Sequence, residues 1–143
     1  MVTKIEKENN VTISGFSYTQ VNGTFVQNWK ITDSSGDNVL LHYPYTKIVD
    51  IDKDGIMESV FVYEVDPDNG MGSTFKVLLH YKNKKYALRV HIPQLDEDEY
   101  KETYDKLFET LPPSVKKYIS DYWNNVAKHE HLRGTQWYVI PKN

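Results

Sequence analysis

Cysteine is absent from the 143 residues, which excludes disulfides, thiolate metal sites and a cysteine nucleophile. No apolar run approaches the roughly 20 residues that a membrane-spanning helix needs. The opening MVTKIEKENN lacks the apolar stretch of a secretory leader, so the sequence predicts no signal peptide within it. There is no basic block, and the net charge is only −3. Nucleic acid, which demands a concentrated positive surface, is therefore not an expected partner. A glycine-rich phosphate loop, a G-x-S-x-G elbow and paired catalytic motifs are also missing. Their absence weighs against an enzyme without closing the case, because catalytic groups assemble from distant positions.

What the chain does have is aromatic area. Aromatic residues make up 13% of it and eleven are tyrosines, a load suited to half-buried sheet faces where the ring packs and the hydroxyl stays wet. The length fits one domain with a real core. VTISGFSYTQ and TFVQNWKITD flank Asn22-Gly23, a hairpin signal between runs of β-branched and aromatic residues. NVLLHYPY and TKIVD predict short strands, with Pro44 marking an edge or break. Ser59 to Val65 is apolar on both faces, which predicts a central strand. FKVLLHY and KYALRVHI, joined through Lys82 to Lys84, predict a second hairpin.

From residue 97 the period lengthens. EDEYKETYDKLFETL carries Tyr100, Tyr104, Leu107, Phe108 and Leu111 at helical spacing, with acids in the first turn. Pro112 and Pro113 end that segment. SVKKYISDYWNNVAKH then places Val115, Ile119, Tyr122, Trp123 and Val126 on one stripe, Gly134 closes it, and TQWYVIP reads as a last strand. The sequence thus predicts one α+β domain over residues 1–143, an antiparallel sheet of about 6–8 strands followed by two C-terminal helices packed on it.

The stretch IVDIDKDGIMESVFVYE, residues 48–64, breaks the strand pattern with acids at every second position. Calcium takes about 6–8 oxygen ligands, largely carboxylates and carbonyls. A loop supplies them when alternate side chains turn inward and a glycine permits a sharp bend. Asp50, Asp52 and Asp54 have that spacing and Gly55 follows the third. The carbonyl of Ile56 and the carboxylate of Glu58 would complete the set. An EF-hand is ruled out, since its twelfth position is Phe61 here and the flanks are strands. A plain Asp-Gly turn is the simpler alternative, and a catalytic carboxylate cluster a further one. Four carboxylates within nine residues repel one another without a counter-ion, and this favours Ca2+.

KIVDIDKDGIMESVFVYEV, followed by FKVLLHYKNKKYALRV, resembles a small family of bacterial envelope proteins, secreted or lipid-anchored, some described as surface polysaccharide biosynthesis proteins. The family pattern is a D-x-D-x-D-G-x-x-E loop entering a hydrophobic strand, then a K-x-[IL]-[ML]-H segment and a basic run into Y-A-[LI]-R. These features fall on Asp50, Asp52, Asp54, Gly55 and Glu58, on Lys76 to His80, and on Lys84 to Arg89. GFSYTQVNGTFVQNWKITD and LPPSVKKYISDYWNNV are also similar to the family, so the resemblance spans residues 14–127. The loop itself is similar to the calcium loops of integrin-type FG-GAP propellers. The chain departs from the family in lacking a longer N-terminal region and leader, and in carrying the tail HLRGTQWYVIPKN. The resemblance implies a periplasmic, envelope or secreted location and names no reaction.

Other candidates read more simply as structure. His129 and His131 are two apart and diverge on a helix, so a solvated helix end is expected there rather than a zinc pair. His42, His80 and His91 stand alone in strand patterns and predict partly buried structural histidines. Asp66, Asp68 and Asn69 lie in a turn rich in proline and glycine, which predicts a plain loop rather than a second ion site. The sequence therefore points to a non-enzymatic calcium-binding envelope domain with a protein or glycan partner. Its alternatives are an immunity-type protein that neutralises a secreted toxin by direct binding, and an enzyme or accessory factor of surface polysaccharide metabolism.

Overall fold

The computed structural model describes residues 2–7, 10–35, 38–65, 73–93 and 99–134. Among the described residues, nine strands form two antiparallel sheets. The smaller sheet holds β1 (Val2–Lys7), β2 (Asn10–Val21) and β3 (Thr24–Ser35) in that order. The larger is built on β6 (Glu58–Val65), β7 (Ser73–Tyr81), β8 (Lys84–Ile92) and β9 (Lys101–Tyr104). Two short strands, β4 (Val39–Leu41) and β5 (Lys47–Val49), share one edge of β6. Between them Tyr43–Tyr45 makes a 3-10 turn with Pro44 in it, the break that the proline predicts. α1 (Pro113–Gly134) is the α-helix found among the described residues, and Pro113 supplies a first position whose missing N–H costs nothing.

Both predicted hairpins form, each through a two-residue turn of positive φ. Asn22 (φ 50°) and Gly23 (φ 81°) join β2 to β3, and Lys82 (φ 45°) and Asn83 (φ 61°) join β7 to β8. Such turns match the right-handed twist of the strands they link. β6 is an interior strand, between the short edge strands β4 and β5 and the central β7, with seven consecutive buried residues. Its even-numbered side chains Val60 and Val62 join Val77, Leu79, Leu88 and Val90 beneath α1. The predicted helical stripe faces them: Val115, Ile119, Tyr122, Trp123 and Val126 are all buried. Its odd-numbered side chains Phe61 and Tyr63 face the smaller sheet, against Ile13 and Ile31. The result is three layers, with the larger sheet in the middle.

Two particular contacts hold the sheets together. A Cβ on Gly15 would lie 2.6 Å from Phe61 Cζ, so the absence of a side chain there lets the phenyl ring reach the β2 backbone. Asp33 on β3 accepts hydrogen bonds from the Tyr63 hydroxyl, from Lys76 Nζ at 3.3 Å and from Lys85 Nζ at 3.1 Å. One carboxylate thus reaches β6, β7 and β8. Burial pushes its pKa up, but the Tyr63 bond and the two ammonium groups outweigh that and hold it below the usual carboxylate value.

Two expectations need correction. The strands make two layers rather than one sheet, because β2 and β3 bury one face on Phe61 and Tyr63 instead of extending the edge of β6. The first of the two expected helices is also not there. Its described part is β9 followed by a 3-10 turn over Lys106–Thr110. The competing signal is Tyr-x-Glu-x-Tyr: Glu102 and Tyr104 share one face of β9, Tyr100 immediately precedes it, and both tyrosine hydroxyls donate to the Glu102 carboxylate. Asp105 fixes the register on β8, accepting the Ala87 N–H at 2.9 Å and returning its own N–H to the Ala87 carbonyl at 3.0 Å. The predicted last strand at 135–141 lies outside the described residues.

Candidate metal centre

The acidic stretch leaves β5 at Val49 and re-enters the sheet at Glu58, directly opposite in the β5–β6 register. Between them the chain curls tightly, with Lys53 (φ 61°) and Gly55 (φ 86°) both left-handed. Asp50 organises the bend: its two carboxylate oxygens accept the N–H groups of Asp54 at 3.1 Å and Gly55 at 3.0 Å. Asp54 Oδ1 accepts the N–H of Ile56 at 2.8 Å.

Oxygens from Asp50, Asp52 and Glu58 lie within 4.8 Å of one another. Asp50 and Asp52 are half-buried, whereas Glu58 is 1% exposed. Glu58 Oε2 accepts the Ile51 N–H at 2.7 Å, but Glu58 Oε1 and Asp52 Oδ1 are buried without a hydrogen-bond partner. A buried carboxylate oxygen in that condition is costly unless a cation meets it. Burial raises the Glu58 pKa most, and the charges of Asp52, Asp54 and Asp50 raise it further against the opposing Ile51 bond. These are hard, all-oxygen donors on an irregular loop, the chemistry that suits Ca2+.

Four of the five residues expected at the site supply side chains, and the structure brings three of them together. Asp54 stands apart from the trio, with its Oδ2 3.1 Å from Lys82 Nζ. Ile56, expected to contribute its carbonyl, is exposed and its N–H is engaged by Asp54. Two residues at the site escaped the sequence reading. The Tyr81 hydroxyl donates to Asp52 Oδ2 at 2.7 Å, and Lys82 Nζ lies 3.3 Å from the same oxygen. The Tyr81 bond leads in holding the Asp52 pKa low, with Lys82 adding to it against burial. The available signal was register: Ser59 pairs with His80, so the β7–β8 turn emerges at the end of the sheet where the acidic loop sits.

The loop also borders open surface. A cleft of about 350 Å³ is lined by Trp29, Asp54, Ile56, Met57, His80, Lys82 and Asn83. A larger one, about 630 Å³, shares Trp29 and Met57 and adds Phe16, Tyr18, Tyr43 and Ile48 among its walls. Two of the histidines are packed or paired within the fold. His80 stacks on Trp29 with ring centroids 4.0 Å apart, and burial lowers its pKa. His42 pairs with the buried Glu64 at 3.3 Å, and His91 lies on β8. His129 is exposed on α1, while the side chain of His131 and the turn with Asp66, Asp68 and Asn69 fall outside the described residues. No family model, no curated protein and no solved structure matches this chain.

Proposed function

We propose that residues 50–58 bind a calcium ion, and that the protein is a calcium-stabilised, non-enzymatic binding module of the cell envelope or periplasm. The observation that carries this reading is the pair of buried oxygens, Glu58 Oε1 and Asp52 Oδ1, left without partners beside Asp50. Asp50, Asp52 and Glu58 would hold the ion. Asp54 and the Ile56 carbonyl would join by small movements of an exposed loop, and water would fill the remaining positions. The ion's role is to pin β5 against the start of β6 and to cancel the repulsion among the acids. An extracytoplasmic location agrees with such a site, since calcium is abundant there.

Binding rather than catalysis is supported by the larger cleft, whose ten described lining residues include no carboxylate, histidine or lysine. Its aromatic walls suit a protein or glycan partner with apolar faces. The test of the ion site is thermal: chelator-treated protein should melt higher when calcium is restored, and Asp52→Ala should melt alike with and without it. An unchanged melting temperature in the wild type removes the calcium reading.

A further inference from the structure

Among the described residues, the acidic loop is met from the neighbouring β7–β8 turn by the ammonium group of Lys82, and its position is informative. Lys82 Nζ lies 3.3 Å from Asp52 Oδ2 and 3.1 Å from Asp54 Oδ2, and 5.0 Å from the centre of the Tyr81 ring. Its side chain is 51% exposed, so the ammonium can swing into water at little cost. Asp52 divides its carboxylate between two neighbourhoods. Oδ2 faces Tyr81 and Lys82, whereas Oδ1 is buried and lacks a partner. The loop therefore has an inner pocket of Asp50, Asp52 and Glu58 oxygens, and an outer face on which Lys82 holds Asp52 and Asp54.

We infer that Lys82 is a tethered counter-ion of the loop, which a divalent ion must push aside to recruit Asp54, and that it sets the affinity of the cation site. The inference rests on the calcium reading given above. Without an ion, Lys82 offsets part of the repulsion among the acids and keeps the loop folded. With one, its charge opposes the incoming ion and Asp54 must leave it. The same residue thus stabilises the empty loop and weakens the filled one. It also favours divalent ions, because a monovalent cation would only replace one positive charge with another.

The test uses the full chain, titrated with CaCl2 by calorimetry and melted in chelator. Lys82→Asn removes the charge with a residue that accepts left-handed backbone and is too short to reach the ion. Lys82→Ala is a second charge-removing variant, and Lys82→Arg keeps the charge. Both charge-removing variants should bind calcium about tenfold more tightly, the effect of relieving a single and a double charge about 6 Å apart in a water-like dielectric. Both should also melt lower than wild type in chelator, and Lys82→Arg should track the wild type in both assays. A variant that folds only with calcium is the extreme form of the same result. Calcium binding by the charge-removing variants that equals or falls below wild type overturns the role of Lys82 while leaving the site standing. No binding by any of the proteins overturns the site itself.

Discussion

Replacing Glu58 with glutamine should make the metal-free protein more stable and abolish its response to calcium. Glu58 is 1% exposed, shares its pocket with Asp50 and Asp52, and uses only Oε2 for a hydrogen bond. Glutamine keeps a carbonyl oxygen for the Ile51 N–H and puts an amide donor where Oε1 stood, beside the Asp50 and Asp52 carboxylates. The change removes one charge from the cluster and replaces one of its two partnerless oxygens with a donor. An unsatisfied buried polar group costs about 1–3 kcal/mol. At about 3 °C per kcal/mol for a domain of this size, Glu58→Gln should melt about 3–9 °C above wild type in chelator. Calcium at 100 times its dissociation constant adds about 2.7 kcal/mol to a protein that binds it, so the wild type should rise by about 8 °C while the variant stays put. Paired melts followed by circular dichroism, in chelator and in calcium, measure both differences. The reasoning is refuted if Glu58→Gln melts below wild type in chelator, or if both proteins gain equally from calcium.

Asp33→Ala removes the acceptor shared by Tyr63, Lys76 and Lys85 and should cost about 2–3 kcal/mol in urea unfolding, somewhat below the range for breaking a fully buried pair because the carboxylate is 15% exposed. The pKa of Asp33 is held below its ordinary value of 3.8, so its contribution is complete above that value and is lost as the pH falls through the folded-state value. Asp33→Asn should accordingly flatten the acid-unfolding curve in that window, and an unchanged curve would show that the carboxylate contributes nothing. Gly15→Ala drives a methyl into the Phe61 ring and should destabilise by about 1–3 kcal/mol. Phe61→Leu should cost less in the Gly15→Ala background than alone, which a double-mutant cycle measures. Trp123→Ala, which empties a fully buried site and takes away the donor to the Tyr100 hydroxyl at 2.9 Å, should cost about 3–5 kcal/mol in the same unfolding assay.

Much of the fold is legible in the chain because its signals are local. Asn22-Gly23 forces a hairpin on its own, and the two-sided apolar run of β6 can be satisfied only in the middle of a layered sheet. The stripe from Val115 to Val126 has no reading other than one helical face. The misread segment at 100–110 shows the limit. Its apolar spacing fits a helix as well as any in the chain, yet Leu107 and Tyr104 remain partly exposed while Phe108 is buried. What decides the matter is Asp105 gripping both backbone groups of Ala87, a partner eighteen residues away. β1 was invisible for a related reason, since VTKIEK alternates weakly and becomes a strand only by pairing with β2. In the acidic loop the spacing marks Asp50, Asp52 and Glu58 as neighbours. Tyr81 and Lys82 enter only through the register of β6 on β7, which no spacing along the chain records.

The stacking of Trp29 on His80 has an optical consequence. Of the tryptophans in the described residues, Trp123 is sealed between α1 and the larger sheet, whereas Trp29 lines the cleft that contains Asp54 and Lys82. An imidazole 4.0 Å from the indole quenches emission most strongly when it is protonated, and burial keeps His80 neutral near physiological pH. Any rearrangement of residues 54–57 therefore changes the walls of the cleft that Trp29 also lines. The molecule carries its own fluorescent reporter beside the loop, and Trp29→Phe would silence that signal while leaving the light from Trp123 untouched.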